Sequence, residues 1–190
     1  MIKICPLTID LWEDFEQLFG SRGACEGCWC MFWKLSGKEF YANRYENNRL
    51  AMKNIVSSGI VPGLLAYVDG VPAGWCAVEP RAHYSRLARS RSFAAIDSAP
   101  VWSITCFFVE KKYRKKGLSV ALLKEAIDYV DRQGGRILEG YPKEIHPGER
   151  KSDASVYIGL VSTFLKIGFK EVGRNLPSRP IMRLALHKEN

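Results

Sequence analysis

The sequence has no apolar run of the roughly 20 residues that a membrane-spanning helix needs. Its N-terminus, Met1–Phe15, lacks the cationic and then apolar layout of a signal peptide, so we expect a cytoplasmic protein without a membrane partner. No repeat, low-complexity segment or long linker divides the 190 residues, of which 47% are hydrophobic and 25% charged. We therefore predict a single folded domain over residues 1–190.

The sequence also has fewer acidic than basic residues. There are 20 Asp and Glu against 28 Lys and Arg, which gives a formal net charge of +8. Such an excess is typical of proteins that bind nucleic acid or another polyanion. Five of the positive charges lie within Lys111–Lys116, which favours a small polyphosphate ligand. A nucleic-acid-binding module is the second hypothesis, and it ranks lower because few aromatic residues accompany the basic run for base stacking.

The sequence also lacks a second cysteine pair to match the cluster Cys25, Cys28 and Cys30. Three thiolates could bind zinc if Cys5, Cys76, Cys106 or His83 supplied a fourth ligand. Zinc knuckles usually bring two pairs in sequence, so we predict no metal site and reduced thiols, and a redox role stays open.

Large apolar side chains surround these cysteines. Loops on a rigid scaffold often line ligand pockets, so Trp29 and Trp33, together with Trp102, are candidates for a substrate pocket. Packing in the core is the alternative interpretation.

The segment Val101–Val130 organises the rest of the chain. Its apolar and β-branched start predicts a buried strand, and Gly117 opens a helix with Val120, Leu123, Ile127 and Val130 on one face. A strand that turns into a helix leaves the first N–H groups of the helix unpaired, and the helix dipole adds positive charge there. The basic turn between them is therefore a predicted anion site, most naturally for phosphate.

The remaining pattern predicts the fold class. Asp69-Gly70 indicates a two-residue hairpin, helices are expected over Gly37–Ser58 and Val156–Ile167, and Gly168 is placed to end the latter. Antiparallel strands, a central strand-helix-strand unit and a closing helix-strand-strand unit predict one layered α/β or α+β domain with a mixed sheet.

Two motifs carry a family resemblance. The pattern Val109-x-x-x-Tyr113-Arg114-x-x-Gly117-x-Ser119 resembles the acyl-CoA-binding motif of the GNAT superfamily of N-acetyltransferases, with Ser119 in place of the family's last Gly or Ala. The Gly168-Phe169 block resembles the family's C-terminal motif. The resemblance covers about residues 60–186, and the first sixty residues are less typical.

This resemblance implies a mostly antiparallel sheet flanked by helices and an enzyme that transfers the acetyl group of acetyl-CoA to the primary amine of a small acceptor. Backbone groups of Phe107–Val109 would bind the pantetheine arm, and Arg114–Ser119 would hold the pyrophosphate. Lys111, Lys112 or Arg91 could reach the ribose phosphate. The implied cofactor-binding residues are Phe107, Phe108, Val109, Arg114, Lys115, Lys116, Gly117, Leu118 and Ser119.

Acetyl transfer also needs a base and a proton donor for the leaving thiolate. Candidate bases are Glu139, inside an apolar strand, and Glu79, at the end of the hairpin. Many members of the family have a donor tyrosine where this sequence has Phe164, so Tyr157 is the substitute, and proton loss to water is the alternative. Phe164 also motivates a third hypothesis, a GNAT fold that binds acyl-CoA without catalysis. A homodimer stays open.

Overall fold

The protein is described by a computed structural model that covers residues 1–145 and 157–186. One seven-stranded sheet runs through it in the order β1-β2-β3-β4-β5-β7-β6. The strands are β1 (Ile2–Pro6), β2 (Gly63–Val68), β3 (Val71–Pro80), β4 (Trp102–Val109), β5 (Ile137–Gly140), β6 (Lys170–Leu176) and β7 (Arg179–Ala185).

Six α-helices and three 3-10 turns connect the strands within the described residues. The helices are α1 (Trp12–Phe19), α2 (Gly37–Ala42), α3 (Glu46–Ser57), α4 (Ser85–Ala88), α5 (Leu118–Arg132) and α6 (Val161–Ile167). None of the helices in residues 1–145 and 157–186 is long and apolar enough to cross a membrane.

The sheet is mixed and mostly antiparallel, as predicted. Strands β1 to β4 pair antiparallel in sequence order, β4 pairs parallel with β5, and β7 pairs antiparallel with both β5 and β6. The predicted hairpin at Asp69-Gly70 is confirmed, because both residues have positive φ values, +50° and +79°, as a type I′ turn requires.

Each face of the sheet has its own apolar core. Helices α5 and α6 cover one face, where Leu122, Leu123 and Phe164 are fully buried. Helices α1 and α3, with the loop after α1, cover the other face around Phe15 and Trp75. A strand residue therefore points toward either the α5 face or the α1 face, which decides what it can contribute to a site.

The single helix predicted over Gly37–Ser58 is wrong. The structure contains two helices, because the chain turns at Tyr45, whose φ is +66°. In the second of them Leu50 is 42% exposed, whereas Met52 is fully buried.

The buried face of α5 is rotated relative to the prediction. Leu118, Leu122 and Ala126 are buried, while the predicted Val120 and Ile127 are only half-buried. The sequence pattern allowed both faces, and packing against Gly74 of β3 selects the one that contains Leu118.

The last helix begins later than predicted. Leu160 precedes its first residue, Val161, and Gly159 has a φ of +90°. Tyr157 therefore lies outside α6 rather than two helical turns before Phe164. Val156, at the predicted start of this helix, lies outside the described residues.

Candidate active site

The turn before α5 has the geometry of an anion site. Gly117 has a φ of +81°, and a Cβ built on it would meet no atom within 4 Å. The helix of 15 residues that follows has no side-chain hydrogen bond at its N-terminus. Its first N–H groups and its dipole therefore face open space beside the exposed Lys115 and Lys116, an arrangement that fits a pyrophosphate.

The strand that leads into this turn, β4, separates from its neighbour β5 along the chain. Pairing between β4 and β5 is confined to Trp102–Ile104, so the strands part beyond that point. The pairing of β3 with β4 skips Thr105. Strand β4 therefore has a bulge at the point where it separates from β5. Arg114 ties the turn back to the end of β4, since its Nε donates to the carbonyl of Val109 over 2.9 Å.

Side chains of the implied cofactor residues point away from this edge. Phe107 belongs to the core on the α5 face, and Phe108 packs 5.5 Å from the ring of Phe19 on the α1 face. Leu118 is buried against Gly74. Only the backbone of these residues is left for a ligand, which is the role that the resemblance implies for them.

Residues 157–160, which follow the undescribed residues 146–156, enter the opening between β4 and β5. The backbone N–H of Phe107 donates to the carbonyl of Tyr157, and Lys143 forms a parallel bridge with Leu160. The N–H of Phe107, one of the groups assigned to the pantetheine arm, is thus already bonded within the protein. Phe164 is fully buried against Gly140 and Phe169, so it is a core residue.

A cavity of about 500 Å³ opens beside Tyr157. We call it the arginine–aromatic cavity after the residues that define it, which are Phe32, Trp33, Arg86, Phe93, Tyr157 and Arg179. Segments from four parts of the chain build it, and its size suits a small organic molecule. Burial raises the pKa of Tyr157 well above its ordinary value, so its hydroxyl keeps its proton at neutral pH.

The three predicted pocket tryptophans lie in three different places. Trp33 lines the arginine–aromatic cavity. Trp29 is 4% exposed and stacks 5.8 Å from Phe19 in the core of the α1 face. Trp102 packs on Tyr129 of α5.

Glu79 lies at the end of β3 and is 2% exposed. It forms an ion pair with Lys34, whose side chain is 6% exposed, and its Oε1 lies 3.0 Å from Nδ1 of His83. The imidazole of His83 is 45% exposed, so the carboxylate orients a ring that solvent can reach.

Glu139 is also buried, but guanidinium groups surround it. Arg183 Nε lies 2.7 Å from one carboxylate oxygen, and Arg81 Nη1 lies 3.0 Å from the other, which also accepts the hydroxyl of Tyr141. Arg81 donates in addition to the carbonyl of Phe93, a wall of the cavity. The structure places Glu139 in a supporting network rather than at an open surface.

The thiols of Cys28, Cys30 and Cys106 lie in or against the apolar core of the α1 face. Cys30 accepts a hydrogen bond from Trp75 Nε1 over 3.2 Å, and its pKa is lowered chiefly by a hydrogen bond with Cys106. Burial raises the pKa of Cys28 to about 12. All six cysteines are free, and no three His, Cys, Asp or Glu side chains in the described parts of the chain are placed to hold a metal.

Sequence reasoning missed Lys34, His83, Arg86 and Arg179. Lys34 directly follows Trp33, and Arg86 lies in a basic segment, residues 81–100, whose positive charges fit either a solvated surface or a bound anion. No local pattern joins them, because Lys34 and His83 meet at Glu79, and the cavity forms only when residues 32–37, 86–93, 157–158 and 176–179 come together.

Comparison with known proteins assigns the family. The model of the acetyltransferase (GNAT) family matches residues 24–142, well over half of the chain. The protein belongs to this family. The match begins within the part that looked less typical, and it ends before the Gly168-Phe169 block.

Solved structures support the fold over nearly the whole chain. The PaiA N-acetyltransferase of Thermoplasma acidophilum, solved with coenzyme A, is 18% identical with a TM-score of 0.54, covering 98% of this chain and 99% of its own. A GNAT-family acetyltransferase of Streptococcus pneumoniae is 15% identical with a TM-score of 0.58, covering 98% and 100%. Curated protein sequences give no significant match. The predicted fold class and enzyme class are confirmed, and with the family comes acetyl-CoA as the acyl donor.

Proposed function

We propose that this enzyme transfers the acetyl group of acetyl-CoA to the primary amine of a small acceptor bound in the arginine–aromatic cavity. The observation that carries the proposal is the position of Tyr157. Its ring lines the cavity, while its carbonyl accepts the N–H of Phe107 on β4. One residue thus contacts both the acceptor cavity and the strand edge that leads to the phosphate turn.

The turn before α5 supplies the cofactor site. Free N–H groups at the start of α5 bind the pyrophosphate, Gly117 leaves room for it, and Lys115 and Lys116 add positive charge. Bound acetyl-CoA supplies a thioester, which is the electrophile for an amine.

Tyr157 is the proposed proton donor to the departing thiolate. Its hydroxyl is protonated at neutral pH, which is the state that a general acid needs, although the burial that raises its pKa also makes it a weaker acid than an ordinary tyrosine. This role does not depend on the helix that the sequence predicted around Tyr157.

Of the two candidate bases, we assign the role to Glu79, acting through His83. It orients His83, whose ring is partly exposed and can accept a proton from the amine through solvent. Glu139 instead neutralises Arg81 and Arg183, and its proposed role is to position the cavity wall.

Two variants at one position test the cofactor site. Gly117→Asn and Gly117→Asp have nearly the same shape, and both residue types tolerate the left-handed backbone better than most. The carboxylate of Asp would stand where the pyrophosphate binds. Calorimetry should therefore show at least about tenfold weaker acetyl-CoA binding by Gly117→Asp than by Gly117→Asn.

Gly134→Asp is the matched control. Gly134 also has open space and a positive φ, +77°, but it follows the far end of α5, roughly 22 Å away. It should bind acetyl-CoA as the wild type does. Equal acetyl-CoA affinities of the Asn and Asp variants would contradict the proposal that the pyrophosphate binds at this turn. Binding without release of CoA by any amine would favour the non-catalytic alternative.

A further inference from the structure

Two thiols from distant parts of the chain lie in contact on the α1 face of the sheet. Cys30 belongs to the loop between α1 and α2, and Cys106 belongs to β4. Both pack in or against the apolar core of that face, and their side chains share a hydrogen bond. The contact therefore joins a loop to the central strand of the sheet through two groups that can form a covalent bond.

The surroundings of Cys30 favour its thiolate. A hydrogen bond from Cys106 contributes most to a lowered pKa of the Cys30 thiol, and burial opposes it. The Cys30 sulfur also accepts the indole N–H of Trp75 over 3.2 Å, and the buried ammonium of Lys34 lies close enough to attract its negative charge. Glu79, the ion-pair partner of Lys34, offsets part of that attraction. The thiolate is the form of cysteine that reacts with oxidants.

Cys106 has the complementary state. The hydrogen bond with Cys30 raises the pKa of the Cys106 thiol, and burial raises it further. Cys106 therefore keeps its proton and donates its S–H to the sulfur of Cys30. A thiol in this position can condense with an oxidised neighbour, as the resolving cysteine does in redox-active pairs.

The other four cysteines are placed differently. Cys25 is exposed, Cys76 lies in the core of the opposite, α5 face, and Cys5 is on β1, which β2 and β3 separate from β4. Cys28 is the nearest competitor, because it precedes Cys30 by two residues. Burial raises the pKa of Cys28 to about 12, so it stays a neutral thiol. The hydrogen-bonded pair is thus the most reactive arrangement of the six thiols.

Both partners are linked to the acceptor side of the enzyme. Trp33 follows Cys30 by three residues and lines the arginine–aromatic cavity. Cys106 lies near Tyr157, since its thiol adds to the rise in the pKa of Tyr157 that burial mainly causes. A covalent bond between the two thiols would fix the loop against β4 and displace the cavity wall relative to Tyr157. The turn before α5 contains neither partner, so the cofactor site should be unaffected.

We propose that Cys30 and Cys106 form a disulfide when a peroxide oxidises the enzyme, and that this bond slows transfer to the acceptor without changing acetyl-CoA binding. The Cys30 thiolate attacks hydrogen peroxide, the O–O bond breaks, and hydroxide leaves and takes up a proton, so that Cys30 becomes a sulfenic acid. The Cys106 thiol attacks that sulfur, and its proton leaves with the sulfenic hydroxyl as water. Two thiols and one peroxide thus give one disulfide and two water molecules. The effect on transfer rests on the proposed function, whereas the disulfide itself does not.

Mass spectrometry of the oxidised wild type tests the pair directly. Hydrogen peroxide is the oxidant, because Cys30 is only 7% exposed and a small molecule is needed to reach it. The intact mass should fall by about 2 Da, since one disulfide removes two hydrogen atoms. Digestion without reductant should give a linked peptide that contains Cys30 and Cys106, and dithiothreitol should separate its halves by thiol–disulfide exchange.

Serine variants assign the two roles. Cys30→Ser should give no linked peptide, and Cys106→Ser should gain oxygen at Cys30 instead, because the sulfenic acid has no resolving thiol. Cys25→Ser and Cys28→Ser are the matched controls and should form the disulfide as the wild type does. Acetyl-CoA affinity at the wild-type value verifies folding in all four.

Release of CoA with benzylamine as the acceptor measures the effect on transfer. Oxidation should lower the initial rate of the wild type at least about tenfold, because small displacements of a bound acceptor cost that much or more. Dithiothreitol should restore the rate. The rate of Cys30→Ser should change less than about twofold on the same treatment, and the Kd of acetyl-CoA should be equal before and after oxidation of the wild type.

A linked peptide that joins Cys28 to either partner, or two free thiols after oxidation of the wild type, would overturn the proposal, even where a variant does not fold. A disulfide with an unchanged rate would keep the pair and reject its control of transfer. A wild type that releases no CoA with benzylamine or other primary amines before oxidation would reject the proposed function, and the linked peptide would still decide the disulfide.

Discussion

The turn before α5, which is the proposed phosphate site, and the arginine–aromatic cavity are built in opposite ways. The turn is one continuous piece of chain, Arg114–Ser119. Its proposed phosphate site consists mainly of backbone N–H groups and of the space left by one glycine. The cavity is assembled from side chains of four distant segments. A site made of backbone tolerates many sequences, whereas a site made of side chains is specific to this protein.

The two regions also differ in what supports them. The turn is held by the buried Leu118 and by the bond from Arg114 to Val109. The cavity wall at Phe93 depends on Arg81, which in turn depends on the buried carboxylate of Glu139. Damage to buried ion pairs should therefore reach the acceptor side and spare the cofactor side.

Glu139→Gln should give the largest effect on stability. It leaves Arg81, 13% exposed, without its counter-charge, while Arg183 keeps its ion pair with Asp97, and one-sided removal from a buried pair costs about 3–5 kcal/mol. Denaturant unfolding measures this loss. In the folded fraction, turnover of the acceptor should fall while acetyl-CoA binding is retained.

Glu125→Gln is the control for this comparison. Glu125 pairs with Arg132 at 2.8 Å on the surface of α5, and exposed pairs contribute less than about 1 kcal/mol. A loss from Glu139→Gln as small as that of the control would mean that the network does not support the wall.

Tyr157→Phe should act on turnover alone. If Tyr157 gives the proton, the variant loses roughly a hundredfold in kcat and keeps the Kd of acetyl-CoA, because only the hydroxyl is removed. The raised pKa of Tyr157 also predicts how kcat depends on pH. The donor stays protonated to a higher pH than an ordinary tyrosine, so its loss should not limit the wild-type kcat below about pH 10.

A kcat within threefold of the wild type would instead favour proton loss to water. Tyr129→Phe separates a general effect of hydroxyl loss from this role, because Tyr129 is buried on α5 against Trp102 and lies outside the cavity lining. It should leave kcat of the folded enzyme near the wild-type value.

The contrast between the regions explains what the sequence could predict. The hairpin at Asp69-Gly70, the αL glycine at Gly168 and the strand-turn-helix around Gly117 are local features with few conformational options, and each lies where predicted. The break at Tyr45 and the buried face of α5 depend on tertiary packing, which overrides local pattern. The start of α6 likewise depends on residues 157–160 pairing with β4 and with Lys143.

The site divides in the same way. Gly117 and its basic neighbours were predictable, because their chemistry follows from one strand-to-helix turn. Of the three tryptophans, only Trp33 lines the cavity, since hydrophobic side chains in a loop can equally face the core, as Trp29 does. The partners that make Glu79 and Glu139 different, Lys34 and Arg183 among them, lie far away in sequence.

Lys116→Gln should give the smallest effect, a weak loss of acetyl-CoA affinity. It tests whether side chains or backbone groups hold the phosphate at the turn before α5. Lys116 is exposed, so its contribution to a bound pyrophosphate is screened by salt, with a Debye length of about 10 Å at 0.1 M. Acetyl-CoA binding should weaken only a few-fold at low ionic strength, and the difference from the wild type should vanish in high salt. Lys124→Gln, exposed farther along α5, should show neither change. A loss that persisted in high salt would mean that side chains, rather than the backbone groups at Gly117, hold the phosphate.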